Sequence, residues 1–408
     1  MVHRHREEVI DMRSLHNSRF GPLVAAFALV LAACSSGAGT DTTAGATETT
    51  AGSTETTAGS TDTTAGSTDT TAAGGGQPCA VDGELRETTL LLPFPFAVPF
   101  FSVFVADARG YFEEEGLSVS IEFADGSASV VQQVVANNVE FGMSDPGPVI
   151  DAVAKGEELS VPYVFQTGLI YGFVAPEDSP YNTIADLAGQ TIGVSEATAG
   201  EVPFVEGLLA SEGVQPGVDV TIVESGGGAS TAAAFDSDRI VAYFSDFFNI
   251  IELGFEVPLK EFDLGEFGLY HAASIVAQNS LIAEDPQLVV CLTRAMARAS
   301  EFTHASPEAA LIAIAEKYPE QVTDPEGFDL LALQETIERT IPYEAGGGMW
   351  GWNRPDSWQG YIDLLSNRGD LTADVDPTSL YTNDLIDQTN DFDKEAERAA
   401  AEELAAGG

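Results

Sequence analysis

Positive charge is what this chain most lacks. Its 408 residues hold 17 Lys and Arg against 64 Asp and Glu, a formal net charge of −47. The repeats near its start carry only a handful of those acids, so the folding part is itself strongly acidic. A surface of that sign repels polyanions, which argues against nucleic acid or an anionic bilayer face as partner. We read the excess as a solvated, salt-tolerant surface rather than as an acidic binding site. Cysteine is scarce too, with three in all and no CxxC, and the five histidines show no metal-ligand spacing. Neither GxSxG nor HExxH occurs, and no Gly-Lys-Ser/Thr follows the glycine run Gly226–Gly228. The motifs of serine hydrolases, zinc proteases and Walker loops are therefore missing. No catalytic group, metal or cofactor is expected, and His271 and His304 read as surface residues.

Near the start, Gly21–Ala33 reads GPLVAAFALVLAA, thirteen residues, where a spanning helix needs about 20. Arg13 and Arg19 precede it and small residues close it, the layout of a secretory signal over residues 1–33. The opening MVHRHREEVID carries acids foreign to a signal, which puts the expected translation start at Met12. LAAC at Leu31–Cys34 resembles the bacterial lipobox, in which the cysteine is lipidated and becomes the new N-terminus. Lipid at Cys34 would anchor the chain on the outer face of the cytoplasmic membrane. From Thr42 the chain runs TTAGATE, TTAGSTE, TTAGSTD, TTAGSTD, then TTAAGGGQP. The period is seven but no position is large and apolar, so there is no coiled-coil seam and no core to offset ordering entropy. Residues 34–84 read as a flexible tether, whose roughly 40-residue repeat tract spans about 35 Å between its ends.

Beyond the tether, strand and helix patterns alternate. TTLLLPF is a continuous apolar strand, and FFSVFVADARGYFEEEGL has helical spacing with a stop at Gly116. SVSIEFA alternates, with Val119, Ile121 and Phe123 on one face, and further helix–strand pairs follow through RIVAYFS. From about Glu284 the pattern is mostly helical. The fold class is α/β, with mainly parallel sheets, two lobes and a helical C-terminal region. Cys79 and Cys291 remain as an even pair in an oxidising compartment, either bridged or, with Cys291 on an amphipathic helix, left as buried thiols.

Three stretches carry a resemblance. ADARGYFEEEGLSVSIEFADGSASVVQQVVANNVEFGMSD, SPYNTIADLAGQTIGV and EDPQLVVCLTRAMARASEF, taken in order, resemble the solute-binding proteins of ABC importers. The subgroup is the one serving sulfonates, nitrate, taurine and pyrimidine thiamine precursors. The ending DSWQGYIDLLSNRGDLTADVDPTSLYTNDLIDQTNDFD is similar to its thiamine-precursor branch. The resemblance implies a two-lobed, periplasmic-binding-protein-like (type II) fold with a ligand closed between the lobes. Lobe 1 would be residues 85–177 and 270–393, and lobe 2 residues 178–269. The hinge crossovers would fall near FVAPEDSP and YHAASIVAQ, and an acidic tail over 394–408 would be frayed. It also implies a monomer working with a permease and an ATPase.

In such a fold the cleft lies beyond the carboxyl ends of parallel strands, which selects candidates without the family. In the first lobe these are Phe94, Phe96, Ser127, Ser144, Asp145, Thr167 and Gly168. In the second they are Thr198, Gly200, Glu201, Tyr243, Phe244 and Asp246, with the Gly226–Ser230 loop beside them. Phe100 belongs either to the cleft or to the core, and Ser127, Ser144 and Asp145 also suit helix caps. Trp350 and Trp352 sit in a glycine-rich stretch read as a surface loop. Helix N-termini favour an anion, yet these loops offer three carboxylates and no Arg or Lys. Phe100 also stands where the thiamine-precursor branch tends to carry a histidine. The expected ligand is a small organic molecule, sulfonate-, aromatic- or heterocycle-like, neutral or cationic as readily as anionic. The other classes the sequence admits are a ligand sensor, an adhesin, or an enzyme of thiamine pyrimidine synthesis. The last lacks its cysteine-rich motif here.

Overall fold

A computed structural model describes residues 79–407 except 198, 266, 268, 269, 370 and 372. The stretch read as a signal, Cys34 and the repeats lie outside the described residues, as does Thr198. Residues 79–84, read as the end of the tether, are folded: Val81 and Glu84 form an antiparallel bridge, and Cys79 is disulfide-bonded to Cys291.

Two five-stranded sheets organise the described residues. The strands are β1 Arg86–Leu92, β2 Leu117–Phe123, β3 Phe141–Ser144, β4 Leu159–Val164, β5 Tyr171–Pro176, β6 Thr191–Val194, β7 Thr221–Glu224, β8 Ala242–Asp246, β9 Leu259–Glu261 and β10 Ser274–Gln278. The first sheet has the order β2-β1-β3-β10-β4 and the second β7-β6-β8-β5-β9. In each, the first three strands pair in parallel, and one antiparallel strand (β10 or β5) separates them from the last. The sheets are therefore mixed. The antiparallel strand is the one that follows each passage of the chain from sheet to sheet. The first passage falls at residues 165–170, ahead of the boundary at 177 read from the sequence. The reason is that YGFVAP already pairs with β8 and β9.

Burial follows from position. β4 is buried at every residue although it lies at a sheet edge. Its outer side is closed by the C-terminal segment: Val161 N–H donates to Leu380 O (2.9 Å), Thr382 N–H to Val161 O (3.1 Å) and Val164 N–H to Gly351 O (3.0 Å). Edge strands need such cover. β2, at the opposite edge, alternates, and Phe123 at its end is exposed rather than on the buried face with Val119 and Ile121. Gly142 in β3 admits the helix Ser127–Val135, since a Cβ there would meet Val130 Cγ1 at 2.4 Å.

The C-terminal region is helical, with Pro286–Ala305 as its longest element. Asp285 caps it by accepting from Leu288 N–H (3.2 Å), and Ser306 caps Pro307–Lys317 in the same way at Ala309 (3.2 Å). The long helix buries Arg294 against Glu115, with Nε at 3.0 Å from the carboxylate. The tail corrects an expectation: Lys394–Gly407 is a helix, not a frayed end. Its Glu397 pairs with Arg298 (2.6 Å) and its Arg398 with Glu301 (2.6 Å), so charges of both signs on the tail meet their opposites on the long helix. The histidines also differ from the sequence reading. His271 is buried with Nδ1 2.6 Å from Ser357 Oγ, and burial pushes its pKa down to about 3. Burial also lowers His304, to about 4.

Candidate functional site

A cleft of about 850 Å³ opens where the carboxyl ends of β1, β2 and β3 meet those of β6, β7 and β8. From the first sheet come Phe94, Phe96 and Phe100 after β1, Ser127 after β2, and Ser144 and Asp145 after β3. The second sheet supplies Gly200 and Glu201 at the start of the helix Glu201–Ser211, the turn Gly226–Gly227, and Asp246. Four of the residues named from the sequence lie elsewhere. Thr167 Oγ1 donates to Ile341 O (2.7 Å) and Gly168 N–H to Arg339 O (2.9 Å), so both fasten the crossover to the C-terminal region. Tyr243 is buried and its hydroxyl donates to Gly226 O (2.8 Å), holding the turn from behind. Phe244 is packed in the core against Phe204, ring centroids 5.8 Å apart. The cause is strand alternation, which turns successive β8 side chains to opposite faces and away from the strand end. Trp350 is buried with Nε1 donating to Glu301 (2.8 Å), and neither it nor Trp352 lines the cleft.

Aromatic rings form two of the walls. Phe94 stands 5.8 Å from Phe96 and 4.9 Å from Phe100 between centroids, and both Phe94 and Phe96 are exposed. On the second sheet's side, Phe247 and Phe248 open the helix Phe247–Glu256 with centroids 4.2 Å apart. The sequence reading missed these two, together with Tyr171, Asn249 and Glu252. A signal existed: FSDFF repeats the Ser-Asp of MSDPG at the end of the matching strand, since β8 stands in its sheet where β3 stands in the first.

Three carboxyls occupy the floor. Ser127 Oγ accepts from Asp145 N–H (3.2 Å) and donates to Asp145 Oδ2 (3.3 Å), while Ser144 Oγ donates to Asp145 O (3.0 Å). Asp145 makes no side-chain cap to the helix it precedes, so these serines brace an acid that faces the cleft. Tyr171 OH also donates to Asp145 Oδ2 (3.0 Å), a bond from the second sheet to the first. Asp246 does cap its helix, accepting from Asn249 N–H (3.1 Å) and Nδ2 (2.8 Å). Glu201, 2% exposed, accepts from Ser195 Oγ (2.7 Å) and Ser245 Oγ (2.8 Å). Burial pushes all three carboxyls up. For Glu201 burial and then the charge of Asp246 carry the pKa to about 7, against the lowering by its hydrogen bonds. Asp145 is raised by burial, and Asp246 adds to the rise; Asp246 is raised by burial against the pull of its Asn249 bonds.

Among the described residues no group of His, Cys, Asp and Glu has metal-binding geometry, and no helix is long and apolar enough to cross a membrane. What the arrangement can do is enclose a small molecule, stack a flat or apolar body on phenyl rings, and offer it carboxyl oxygens.

The sequence profile of a family described as NMT1/THI5 like matches residues 98–310. The riboflavin-binding protein RibY of Chloroflexus aurantiacus is 24% identical over 311 residues, covering 74% of this chain and 86% of its own. A formylaminopyrimidine-binding protein of Halalkalibacterium halodurans is 24% identical over 298 residues, covering 70% of this chain and 87% of its own. The periplasmic aliphatic sulphonate binding protein SsuA of Escherichia coli superposes with a TM-score of 0.55 at 13% identity, over 72% of this chain and 91% of that one. At that identity the last likeness is one of fold.

Proposed function

The chain belongs to the NMT1/THI5-like family and has the fold of the periplasmic binding proteins, and from that premise we propose that it is the extracytoplasmic solute receptor of an ABC-type importer. It binds a small organic molecule between its sheets and presents it to a membrane permease driven by an ATPase. The observation that carries this reading is the cleft of about 850 Å³, walled by phenyl rings from both sheets. Phe94, Phe96, Ser127, Ser144, Asp145, Gly200, Glu201 and Asp246 form the ligand contacts in this reading, with Phe247, Phe248 and Tyr171 added. Two chain passages join the sheets, so hinge closure is the motion available. Ligand contacts made from both sides favour the closed state by their differential affinity. The Tyr171–Asp145 hydrogen bond already joins the two sides of the cleft. No covalent chemistry is involved.

A ligand panel tests the reading. Thermal unfolding of the purified chain is followed with alkanesulfonates, taurine, nitrate, aromatic carboxylates, pyrimidines, riboflavin and polyamines. A ligand at 100 times its Kd adds about 2.7 kcal/mol, which raises the Tm of a domain of roughly 300 residues by about 4 °C. A shift confined to one chemical class supports the receptor and names its cargo. Silence across every class overturns it.

The lipid anchor is part of the same proposal and rests on LAAC and the tract that follows it. In cells that make the chain, Cys34→Ser is expected to move it from the membrane fraction to the medium. Retention of the variant on membranes, measured by fractionation, would remove the anchor.

A further inference from the structure

Resting on that receptor reading, we infer that the cleft selects organic cations, an amine or quaternary ammonium on a flat or apolar body. The charge lies between Asp145 and Asp246, and the body lies on the phenyl rings of the two walls. Lys, Arg and His are all missing from the described residues that line the cleft, whereas eight Asp and Glu are present. An acidic chain would show some excess of this kind anywhere on its surface, so placement decides the matter.

The helix N-termini around the cleft are the positions where a binding protein of this shape would hold an anion. Here the protein's own carboxyls occupy them. Asp145 Oδ2 takes a bond from Ser127, which opens one helix, and lies where a Cβ on Gly200 would meet it at 2.8 Å, at the mouth of another. Asp246 caps a third, and Glu252 packs against the fourth, where a Cβ on Gly228 would meet its Cδ at 2.6 Å. An incoming anion would meet carboxyls at each of these positions. For a cation the same positions supply acceptors. Both side-chain bonds of Asp145 land on Oδ2, and Oδ1 has no donor among the described residues. Asp145 and Asp246 hold matching places in opposing sheets, so a positive charge between them relieves their repulsion and ties the two sheets together. Phenyl faces attract cations as well. Arg339 already lies over Phe247, its guanidinium carbon 4.7 Å from the ring centroid.

The test uses probes of one body and three charges: 2-phenylethylamine, 2-phenylethanol and 3-phenylpropionate, with benzyltrimethylammonium and agmatine as further cations. Calorimetry on the purified chain is expected to show a cation bound at least tenfold more tightly than the alcohol, with the carboxylate weakest. Asp145→Asn and Asp246→Asn keep an acceptor for Tyr171 and a cap for the helix. Each is expected to narrow the amine-to-alcohol ratio by about tenfold. A carboxylate or alcohol that binds as tightly as the cations overturns the inference, as does an unchanged ratio in both variants. Binding by anions or neutral heterocycles alone would do so while leaving the receptor reading intact. Only silence from these probes and from the wider panel would remove both.

Discussion

Replacing Cys79 and Cys291 together by Ala is expected to lower the Tm by about 8 °C. The two residues are 212 apart in sequence, with Cα atoms 6.3 Å apart and both side chains buried. Closing a loop of that length removes freedom from the unfolded chain worth about 5 kcal/mol in the chain-entropy account, near the upper end of what native disulfides contribute. Spread over the unfolding entropy of a domain of roughly 300 residues, that is the stated shift. The bridge ties the stretch ahead of β1 to the long helix Pro286–Ala305, so it links the first described residue to the C-terminal region. Alanine is the right replacement because Cys291 is fully buried, and a serine hydroxyl there would need a partner. Calorimetry of the double variant beside the parent checks it. Equal melting temperatures, with the parent unaffected by reductant, would mean that the bridge contributes nothing.

Glu201→Gln is expected to raise stability above pH 7.5 by about 3 kcal/mol and to leave it unchanged below pH 4.5. The Glu201 carboxyl is ordinary when unfolded, near 4.5, and is pushed to about 7 in the folded protein, chiefly by burial. Between those values the folded state holds the proton and the unfolded state does not, so stability falls as pH rises through the window. A shift of that size at a side chain 2% exposed corresponds to about 3 kcal/mol. Glutamine cannot ionise, Ser195 still donates to its oxygen, and the Ser245 hydroxyl turns from donor to acceptor. Asp145 and Asp246, also raised, act in the same direction. His271 and His304 act oppositely: the first buried and lowered to about 3, the second half-buried and lowered to about 4, they make stability rise with pH up to the ordinary histidine value near 6.5. The difference between variant and parent separates Glu201 and its coupling to Asp246 from the rest. Denaturant unfolding at pH 4.5, 6 and 8 reads it, and parallel curves would contradict the expectation.

Much of the cleft was legible. Phe94, Phe96, Ser127, Ser144, Asp145, Gly200, Glu201 and Asp246 were all named because they follow strands, and all line it. Thr167, Gly168, Tyr243 and Phe244 met the same criterion and lie elsewhere. Position after a strand fixes where a residue's Cα lies, not which way its side chain points. Tyr171 and Glu252 were missed for the complementary reason. One stands at the start of a strand and the other inside a helix, where no local pattern marks a cleft residue.

The α/β class, the helical C-terminal region and the acidity of the folded part were determined by sequence alone, because period, composition and charge are local properties. Other features were decided only by tertiary structure, because each depends on partners distant in the chain. Cys79 and Cys291 are brought together because the long helix packs on the helices Phe101–Ala108 and Tyr111–Glu114, at whose end Glu115 O accepts from Cys79 N–H. Glu397 of Lys394–Gly407 finds Arg298, and Arg398 finds Glu301, so the tail is fastened to the long helix. Most of all, the meaning of the acidic composition changed. Read along the chain it described a solvated surface; folded, it places Asp145 against the second sheet and Asp246 in the matching place, with no cation among the described lining residues to answer either. Charge is additive along a sequence, but its effect depends on burial and separation, and those exist only once the chain has folded.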